Sequence, residues 1–256
     1  MSIKTEKLVI NRLAIKPGST IIKNTVLPGE VKDVMLEFYS IKGPYQFNES
    51  SKTDCYDVLL SLKGDATLNT FETEYNLTSD FIARIPYSKN YFIQVGKGKE
   101  FHFLRIRKFL DEKDRFIIGQ KIEKHLSVFI KPLSECPTYS EDIKSNKAIN
   151  RMIIPEGFVP RFCMGSVETE GPDSVDSHEH PMLDQLFLGL KNCRCTCYAN
   201  DEQALLTSNL LLHIPLGSKH SVSVTDGKKL FYIWFDFFLT LEGQKYMEEQ
   251  HQMDDE

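Results

Sequence analysis

An internal repeat constrains the fold of this 256-residue chain more than any other feature of its sequence. Residues 77–86 read LTSDFIARIP and residues 206–215 read LTSNLLLHIP, an offset of 129 positions. Further upstream the offset becomes 128. The two copies span roughly residues 28–109 and 156–237. A repeat this long, aligned almost without gaps, indicates two copies of one folding unit.

Each copy consists of short apolar or alternating runs separated by Gly, Pro, Asn and Asp. This pattern predicts antiparallel strands joined by tight turns, for example at 58–62, 186–190 and 210–214. Strands so short, with almost no helical periodicity between them, favour a sandwich or jelly roll that protects its edges. We predict surface helices only at the junction and at the end, over residues 140–150 and 241–252.

The repeat predicts two domains, residues 1–130 and 131–256. No run approaches the roughly 18 apolar residues that a membrane helix needs, so we expect no membrane partner. The first residues, MSIKTEK, have neither the apolar region nor the cleavage site of a secretory signal, and we predict a cytoplasmic protein. The net charge of −5 gives no electrostatic reason to bind nucleic acid.

Three of the six cysteines, Cys193, Cys195 and Cys197, alternate with polar residues. This alternation puts them on one face of a strand. A structural zinc site usually takes cysteines spaced by two to four residues, so the run fits zinc poorly. We predict reduced, buried thiols that pack in a core.

The second copy contains a cluster of histidines. Residues 177–187 read SHEHPMLDQLF, and residues 214–220 read IPLGSKH. Positions two apart in a strand face the same way, so His178 and His180 both point into a barrel. His220 must arrive from another strand, redirected by the Pro-Leu-Gly turn that precedes it. The pattern predicts a metal site.

These two segments resemble the paired motifs of the cupin superfamily. The first motif there is His-x-His, three or four residues, a carboxylate or Gln, and a strand; the second is Pro-x-Gly, two residues and His. His178, His180, Pro215, Gly217 and His220 fit them residue for residue. The resemblance implies an all-β, tandem duplicated cupin of RmlC-like jelly-roll (double-stranded β-helix) barrels. It also implies that three imidazoles and one oxygen ligand converge on a metal.

The fourth ligand has two candidates. Strict alternation from His180 brings in Asp184, whereas one bulged residue near Pro181 brings in Gln185 with Phe187 beside it. We favour Gln185, at the position where the family usually carries glutamate. Four neutral ligands leave the charge of a divalent ion uncompensated, so the open coordination positions should attract an anion. Imidazole ligands suit iron, nickel, manganese, zinc or copper, and the sequence does not choose among them.

The first copy lacks the metal ligands. Ser50 and Lys52 replace the first two histidines, Asp57 replaces Gln185 and Tyr91 replaces His220. We predict that this barrel binds no metal and serves in packing. The alternative is a metal-free ligand pocket built on Tyr45, Asp57 and Tyr91.

Three further residues are candidates in the second copy. Arg161 is a candidate for gripping a substrate carboxylate. Trp234 shares a strand face with Tyr232 and Asp236, and could line the pocket mouth. His213 alternates with apolar neighbours, and we predict that it faces solvent rather than the metal.

The function predicted from these features is that of a metal-dependent enzyme acting on a small anionic organic or sugar-derived substrate. Dioxygenase and isomerase or lyase chemistry are both open. The alternative is a non-catalytic binding or sensor protein for a sugar or organic acid. No helix-turn-helix output segment is visible. Barrels of this type often pair, so a homodimer is compatible with the sequence.

Overall fold

The computed structural model describes residues 2–8, 20–50, 54–70, 73–87, 89–120, 125–180, 182–250 and 252–253. Two α-helices have both ends within these residues, α1 (Glu112–Gln120) and α2 (Leu241–Gln250), and residues 125–126 are also helical. A 3-10 turn lies at Leu133–Glu135. No helix in the described ranges has the length and apolar character needed to cross a membrane. The strands, in chain order, are β1 (Lys4–Lys7), β2 (Ile21–Val26), β3 (Val34–Lys42), β4 (Tyr45–Glu49), β5 (Cys55–Gly64), β6 (Ala66–Asn69), β7 (Glu74–Leu77), β8 (Phe81–Ile85), β9 (Tyr91–Val95), β10 (Glu100–Phe109), β11 (Phe129–Pro132), β12 (Tyr139–Ser140), β13 (Ile149–Val159), β14 (Phe162–Glu170), β15 (Asp173–His178), β16 (Leu183–Gly189), β17 (Arg194–Ala199), β18 (Glu202–Thr207), β19 (Leu210–Ile214), β20 (His220–Val224), β21 (Lys229–Phe238) and β22 (Gln252–Met253).

The chain forms two compact units. One consists of Val9–Glu135, and the other of Met1–Leu8 together with Cys136–Glu256. In each unit a six-stranded and a four-stranded antiparallel sheet enclose an apolar core. We call the units the first barrel and the second barrel.

The two barrels have the same strand order. The first contains the series β8-β5-β10-β3 and a second sheet β4-β9-β6-β7, and the second contains β19-β16-β21-β14 and β15-β20-β17-β18. Matching glycines also occupy matching tight spots. A Cβ atom would lie 2.0 Å from a carbonyl oxygen at Gly43 and equally at Gly171. The duplicated all-β fold predicted from the repeat is therefore confirmed.

The division of the chain differs from the predicted boundaries at residues 1–130 and 131–256. Strand β1 pairs with β19, placing Lys4 opposite His213, so the first eight residues belong to the second barrel. Strand β11 pairs with β8, which extends the first barrel to Glu135. Both differences come from edge strands that pair outside the repeated segment.

One of the two predicted helices is wrong. Residues 241–250 are helical, as expected, but residues 140–150 contain turns and the start of β13 instead of a surface helix. Backbone contacts hold this segment against β15. Lys144 and Val175 form an isolated antiparallel β-bridge, and the Ile143 carbonyl accepts a hydrogen bond from the Asp176 N–H at 2.8 Å. Side chains of this segment point into the barrel, and its polar sequence therefore wrongly predicts a surface helix.

The cysteine prediction is confirmed for burial. The side chains of Cys193, Cys195 and Cys197 lie in the core of the second barrel, and all three thiols are free. The Sγ atoms of Cys193 and Cys195 are 3.8 Å apart. The hydrogen bond with Cys193 lowers the pKa of Cys195, but the hydrogen bond with Cys197 and burial outweigh it and raise that pKa overall, so the Cys195 thiol stays protonated. The three thiols act as small core residues.

Candidate metal centre

Three histidines meet at one end of the second barrel. His178 ends β15, His180 follows two residues later, and His220 begins β20 directly opposite His178 in the strand pairing. Their potential ligand atoms all lie within 4.8 Å of one another. The His-x-His spacing and the turn before His220 thus bring the imidazoles together, as the sequence predicted. Ligand nitrogens about 2.0–2.1 Å from a common ion would be separated by at most about 4.2 Å, so small ring movements complete the site.

Backbone carbonyls orient two of the rings. The Nδ1 atom of His178 lies 2.7 Å from the Asp176 carbonyl oxygen, and Nδ1 of His220 lies 3.0 Å from that of Ser218. A carbonyl can only accept, so each Nδ1 carries the proton and each Nε2 keeps its lone pair. The Nε2 atom of His220 is buried with no hydrogen-bond partner among the described residues. This tautomer is the one that a metal ligand requires.

Burial keeps the imidazoles neutral. It lowers the pKa of His178 below its ordinary value. It lowers the pKa of His220 to about 4, with a smaller contribution from the neighbouring His178. Both rings are therefore uncharged at neutral pH and available to bind a cation.

Gln185 rather than Asp184 lines the histidine cavity. The Gln185 Nε2 donates to Oδ1 of Asp236 at 2.8 Å. Because a carboxylate only accepts, this bond shows which end of the amide is the nitrogen. The amide oxygen, Oε1, is therefore the atom that does not face Asp236. Oε1 is buried and has no hydrogen-bond partner within the described part of the chain. Asp184 instead meets Nε2 of His213 at 3.3 Å.

The cavity between these groups is small. Its volume is about 30 Å³, which is room for an ion and one or two small ligands. Phe187, Tyr232 and Trp234 form its aromatic wall. Such a wall limits access of water and strengthens the electrostatic interactions inside the cavity.

Two charged residues of the cavity wall were missed by the sequence analysis. Glu141 and Lys144 line the cavity and form an ion pair with each other, with side chains only 10% and 7% exposed. The Lys144 Nζ also donates to the hydroxyl of Tyr139 at 2.6 Å. Burial lowers the pKa of Lys144. Their sequence neighbourhood is polar and gives no signal that these side chains point inward.

The other three candidates have different placements. Trp234 lines the cavity, as predicted. Arg161 does not: it occupies the turn between β13 and β14, and its guanidinium donates to the Leu239 carbonyl at 3.5 Å. His213 is buried, not solvent-facing, because Asp184 on the neighbouring strand provides a partner that alternation alone could not reveal.

In the first barrel, an arginine neutralises the residues equivalent to the metal ligands. Asp57 accepts two hydrogen bonds from Arg107, both 2.7 Å, and one from the Tyr91 hydroxyl at 2.9 Å. The cavity beside them has a volume of only about 10 Å³ and is not lined by Tyr45, which disfavours the ligand pocket considered above. Ser50 lines it, whereas Lys52 lies outside the described residues. Across the described ranges, a histidine, cysteine or carboxylate cluster suited to a metal occurs at His178, His180 and His220.

No protein-family model matches the chain, and no curated protein sequence matches it significantly. Solved structures do match it. A putative glyoxylate-induced protein from Pseudomonas aeruginosa aligns with a TM-score of 0.72 at 10% identity, over 86% of this chain and 82% of that one. A cupin 2 conserved barrel domain protein from Leptotrichia buccalis gives 0.64 at 14% identity, over 92% and 96%. A variant of the Bacillus subtilis oxalate decarboxylase gives 0.59 at 10% identity, over 86% and 73%.

Identities this low establish the fold and leave the activity open. The neighbours are cupin-type barrel proteins, including two-barrel members. The chain thus has the duplicated jelly-roll fold of the two-barrel cupins.

Proposed function

We propose that the second barrel binds one divalent transition metal (iron, nickel, manganese, zinc or copper) through His178, His180, His220 and Gln185. We propose further that the protein is an enzyme of the dioxygenase or isomerase/lyase type, acting on a small anionic organic or sugar-derived molecule. The first barrel has a structural role in this proposal.

The observation that carries the proposal is a pair of buried acceptor atoms without donors. Nε2 of His220 and Oε1 of Gln185 are both buried and have no partner among the described residues. A buried acceptor without a donor costs about 1–3 kcal/mol. A cation between them would satisfy both atoms at once.

The surroundings of Gln185 support the same ligand set. Asp236 accepts a hydrogen bond from the amide N–H and so increases the electron density on the amide oxygen. This second-layer carboxylate gives the neutral amide part of the character of the family's usual glutamate ligand. Imidazoles and an amide oxygen suit a first-row transition metal.

A bound metal would supply Lewis-acid chemistry, or dioxygen activation if it is iron. The protein's own groups would orient the small molecule and exclude water. The aromatic wall sets its size, and Glu141 and Lys144 are the buried groups that can hold or exchange a proton beside it. The oxalate decarboxylases among the fold neighbours support a small carboxylate as the substrate class.

Elemental analysis of the purified protein, prepared with and without oxygen, tests the metal. We expect about one transition-metal ion per chain, lost in His178→Ala and in His220→Ala. His102→Ala in the first barrel is the matched control, because it removes a histidine that lies outside the cluster. A stoichiometric ion retained in a His178/His180 double alanine variant would contradict the assignment.

Turnover then separates an enzyme from a binding protein. The metal-loaded chain is incubated with a panel of small carboxylates and sugar acids, and product formation and oxygen uptake are followed in air and under argon. Oxygen-dependent turnover identifies a dioxygenase, and turnover under argon an isomerase or lyase. Binding of metal and anion without any turnover would favour the non-catalytic alternative.

A further inference from the structure

The segment of residues 141–148, which we call the strap, lies beside the metal cavity. Its backbone is tied to β15, the strand that carries His178, through the Lys144–Val175 bridge and the Asp176–Ile143 hydrogen bond. Ser145 adds a hydrogen bond from its hydroxyl to Asp173 at 2.7 Å. The strap therefore has a fixed position relative to the histidines.

Lys144 is the buried cation of the strap. Its ammonium group has three N–H donors, and the described residues supply two partners, the Tyr139 hydroxyl and the Glu141 carboxylate. The Nζ atom also lies 4.7 Å from the centre of the Tyr139 ring. The third N–H is available to a molecule in the cavity that Lys144 lines.

The charges of the cavity wall define what that molecule should be. The described lining residues include two carboxylates, Glu141 and Asp236, and one ammonium, Lys144, while imidazoles that bind a metal are neutral. The wall thus carries one net negative charge. A divalent metal changes the total to one positive charge, which one singly charged anion neutralises.

We propose that Lys144 is a specificity-determining residue that binds one oxygen of a small monocarboxylate whose other oxygen lies at the metal. This inference rests on the proposed function, because it needs the metal in the second barrel. The cavity volume of about 30 Å³ restricts the anion to a few heavy atoms near the metal. A monoatomic anion on the metal would not need Lys144.

The experiment uses the full chain loaded with cobalt(II), with acetate and chloride as the probe anions. Binding is followed by the visible spectrum of cobalt and by the fluorescence of Trp234, which is the chain's single tryptophan and lines the cavity. In Lys144→Met we expect acetate affinity to fall about tenfold to a hundredfold, the effect of losing one hydrogen bond to a charged group. Chloride affinity should fall only several-fold, because chloride loses the charge of Lys144 but no hydrogen bond, and cobalt stoichiometry should be unchanged. Lys147→Met, at an exposed lysine of the same strap, is the matched control and should resemble the unmodified chain.

A second variant removes the charge but keeps a polar side chain. Lys144→Gln retains N–H donors that can meet Tyr139 and Glu141, so acetate should bind several-fold more weakly without loss of the fold. Acetate binding in Lys144→Gln that is as tight as in the unmodified chain would overturn the inference even if Lys144→Met does not fold.

The outcomes separate the two proposals. Absence of bound cobalt in the unmodified chain contradicts the proposed function. Bound cobalt with equal acetate affinity in the unmodified chain and in Lys144→Met overturns the inference and leaves the metal site intact. An equal loss of acetate and chloride affinity also overturns it, because Lys144 would then act on the metal and not on the carboxylate.

Discussion

The two barrels use the same inward positions for opposite purposes. In the first barrel Asp57 lies opposite Arg107 in the strand pairing, and the two form a double hydrogen bond. At the matching place in the second barrel Gln185 lies opposite Asp236, joined by a single hydrogen bond. The first pair leaves no acceptor unsatisfied, whereas the second leaves the Gln185 oxygen without a donor among the described residues. The fold alone therefore does not create the proposed metal site, which depends on the unsatisfied acceptors inside the second barrel.

A neighbouring pair shows the same contrast in volume. Arg105 lies opposite Glu37 in the first barrel, and Trp234 lies opposite Gly165 in the second. A Cβ atom at Gly165 would lie 2.3 Å from the Trp234 ring, so the glycine is required by the bulk of the indole. A buried ion pair in one barrel thus corresponds to an aromatic cavity wall in the other.

The largest expected loss of stability follows from breaking the ion-pair network of the first barrel. Arg105 donates to Glu37 at 2.9 Å and to Glu49 at 2.5 Å, and all three are largely buried. Arg105→Met leaves two carboxylates without this partner and should cost about 3–5 kcal/mol. Hydrogen exchange of the first-barrel strands measures the loss, while Trp234 fluorescence should show an unchanged second barrel. Lys23→Met is the control, because Lys23 pairs with Glu37 from an exposed position and should cost less than about 1 kcal/mol.

Metal addition should act on the second barrel alone. At a free metal concentration of about 100–1,000 times the dissociation constant, its free energy of unfolding should rise by about 3–4 kcal/mol. Trp234 fluorescence during urea unfolding should follow this shift, and a chelator should reverse it. An equal increase in the hydrogen-exchange protection of the first barrel would contradict the prediction that metal stabilises the second barrel alone.

A fall in pH should weaken the metal-free barrels in different windows. The pKa of His220 is lowered to about 4, so the unfolded chain takes up protons first as pH falls below the ordinary histidine value. The second barrel should lose up to about 3 kcal/mol between pH 6.5 and 4. Glu37 and Glu49 have pKa values lowered by their arginine partners, against the effect of burial, so the first barrel loses their contribution only below the ordinary glutamate value. Urea unfolding across pH 3–8 measures both, and a common window for the two barrels would contradict the comparison.

The smallest effect distinguishes neighbouring residues of β16. Gln185→Ala removes a proposed ligand and should weaken metal binding about tenfold, within the range known for groups around metal sites. Asp184→Ala should change metal affinity less than about twofold, because this carboxylate meets His213 outside the cavity. Metal titrations with a competing chelator decide between them. A larger loss at Asp184 would show that the proposed fourth ligand is wrong.

The sequence predicts the features that depend on regular spacing of residues along the chain. The repeat predicts the duplicated barrel, and the His-x-His spacing predicts that His178 and His180 lie close together, although His180 lies beyond the end of β15 and not in a strand. The choice of Gln185 over Asp184 also follows from spacing, and the structure places it at the cavity. These features depend on neighbours along the chain or on one strand pairing.

The parts that sequence missed depend on distant partners. Lys144 lies in a polar segment, and only its packing beside His178 and Tyr139 makes it a buried cation. Arg105 and Arg107 point inward from β10. The sequence does not show that Glu37 and Asp57, on neighbouring strands, lie opposite them and neutralise their charges. Arg161 carries the right group but sits in a turn away from the cavity.

The pairing of β1 with β19 has a consequence for how the chain is made. Lys7 lies opposite Leu210, about 200 residues farther along the chain, so a ribosome that adds about 5–20 residues per second completes β1 roughly 10–40 s before its partner strand is made. During that interval β1 is an unpaired edge. Its sequence, Lys-Thr-Glu-Lys, is charged at three of four positions. Such charges disfavour pairing with the strands of another nascent chain, so β1 stays unpaired until β19 has been synthesised.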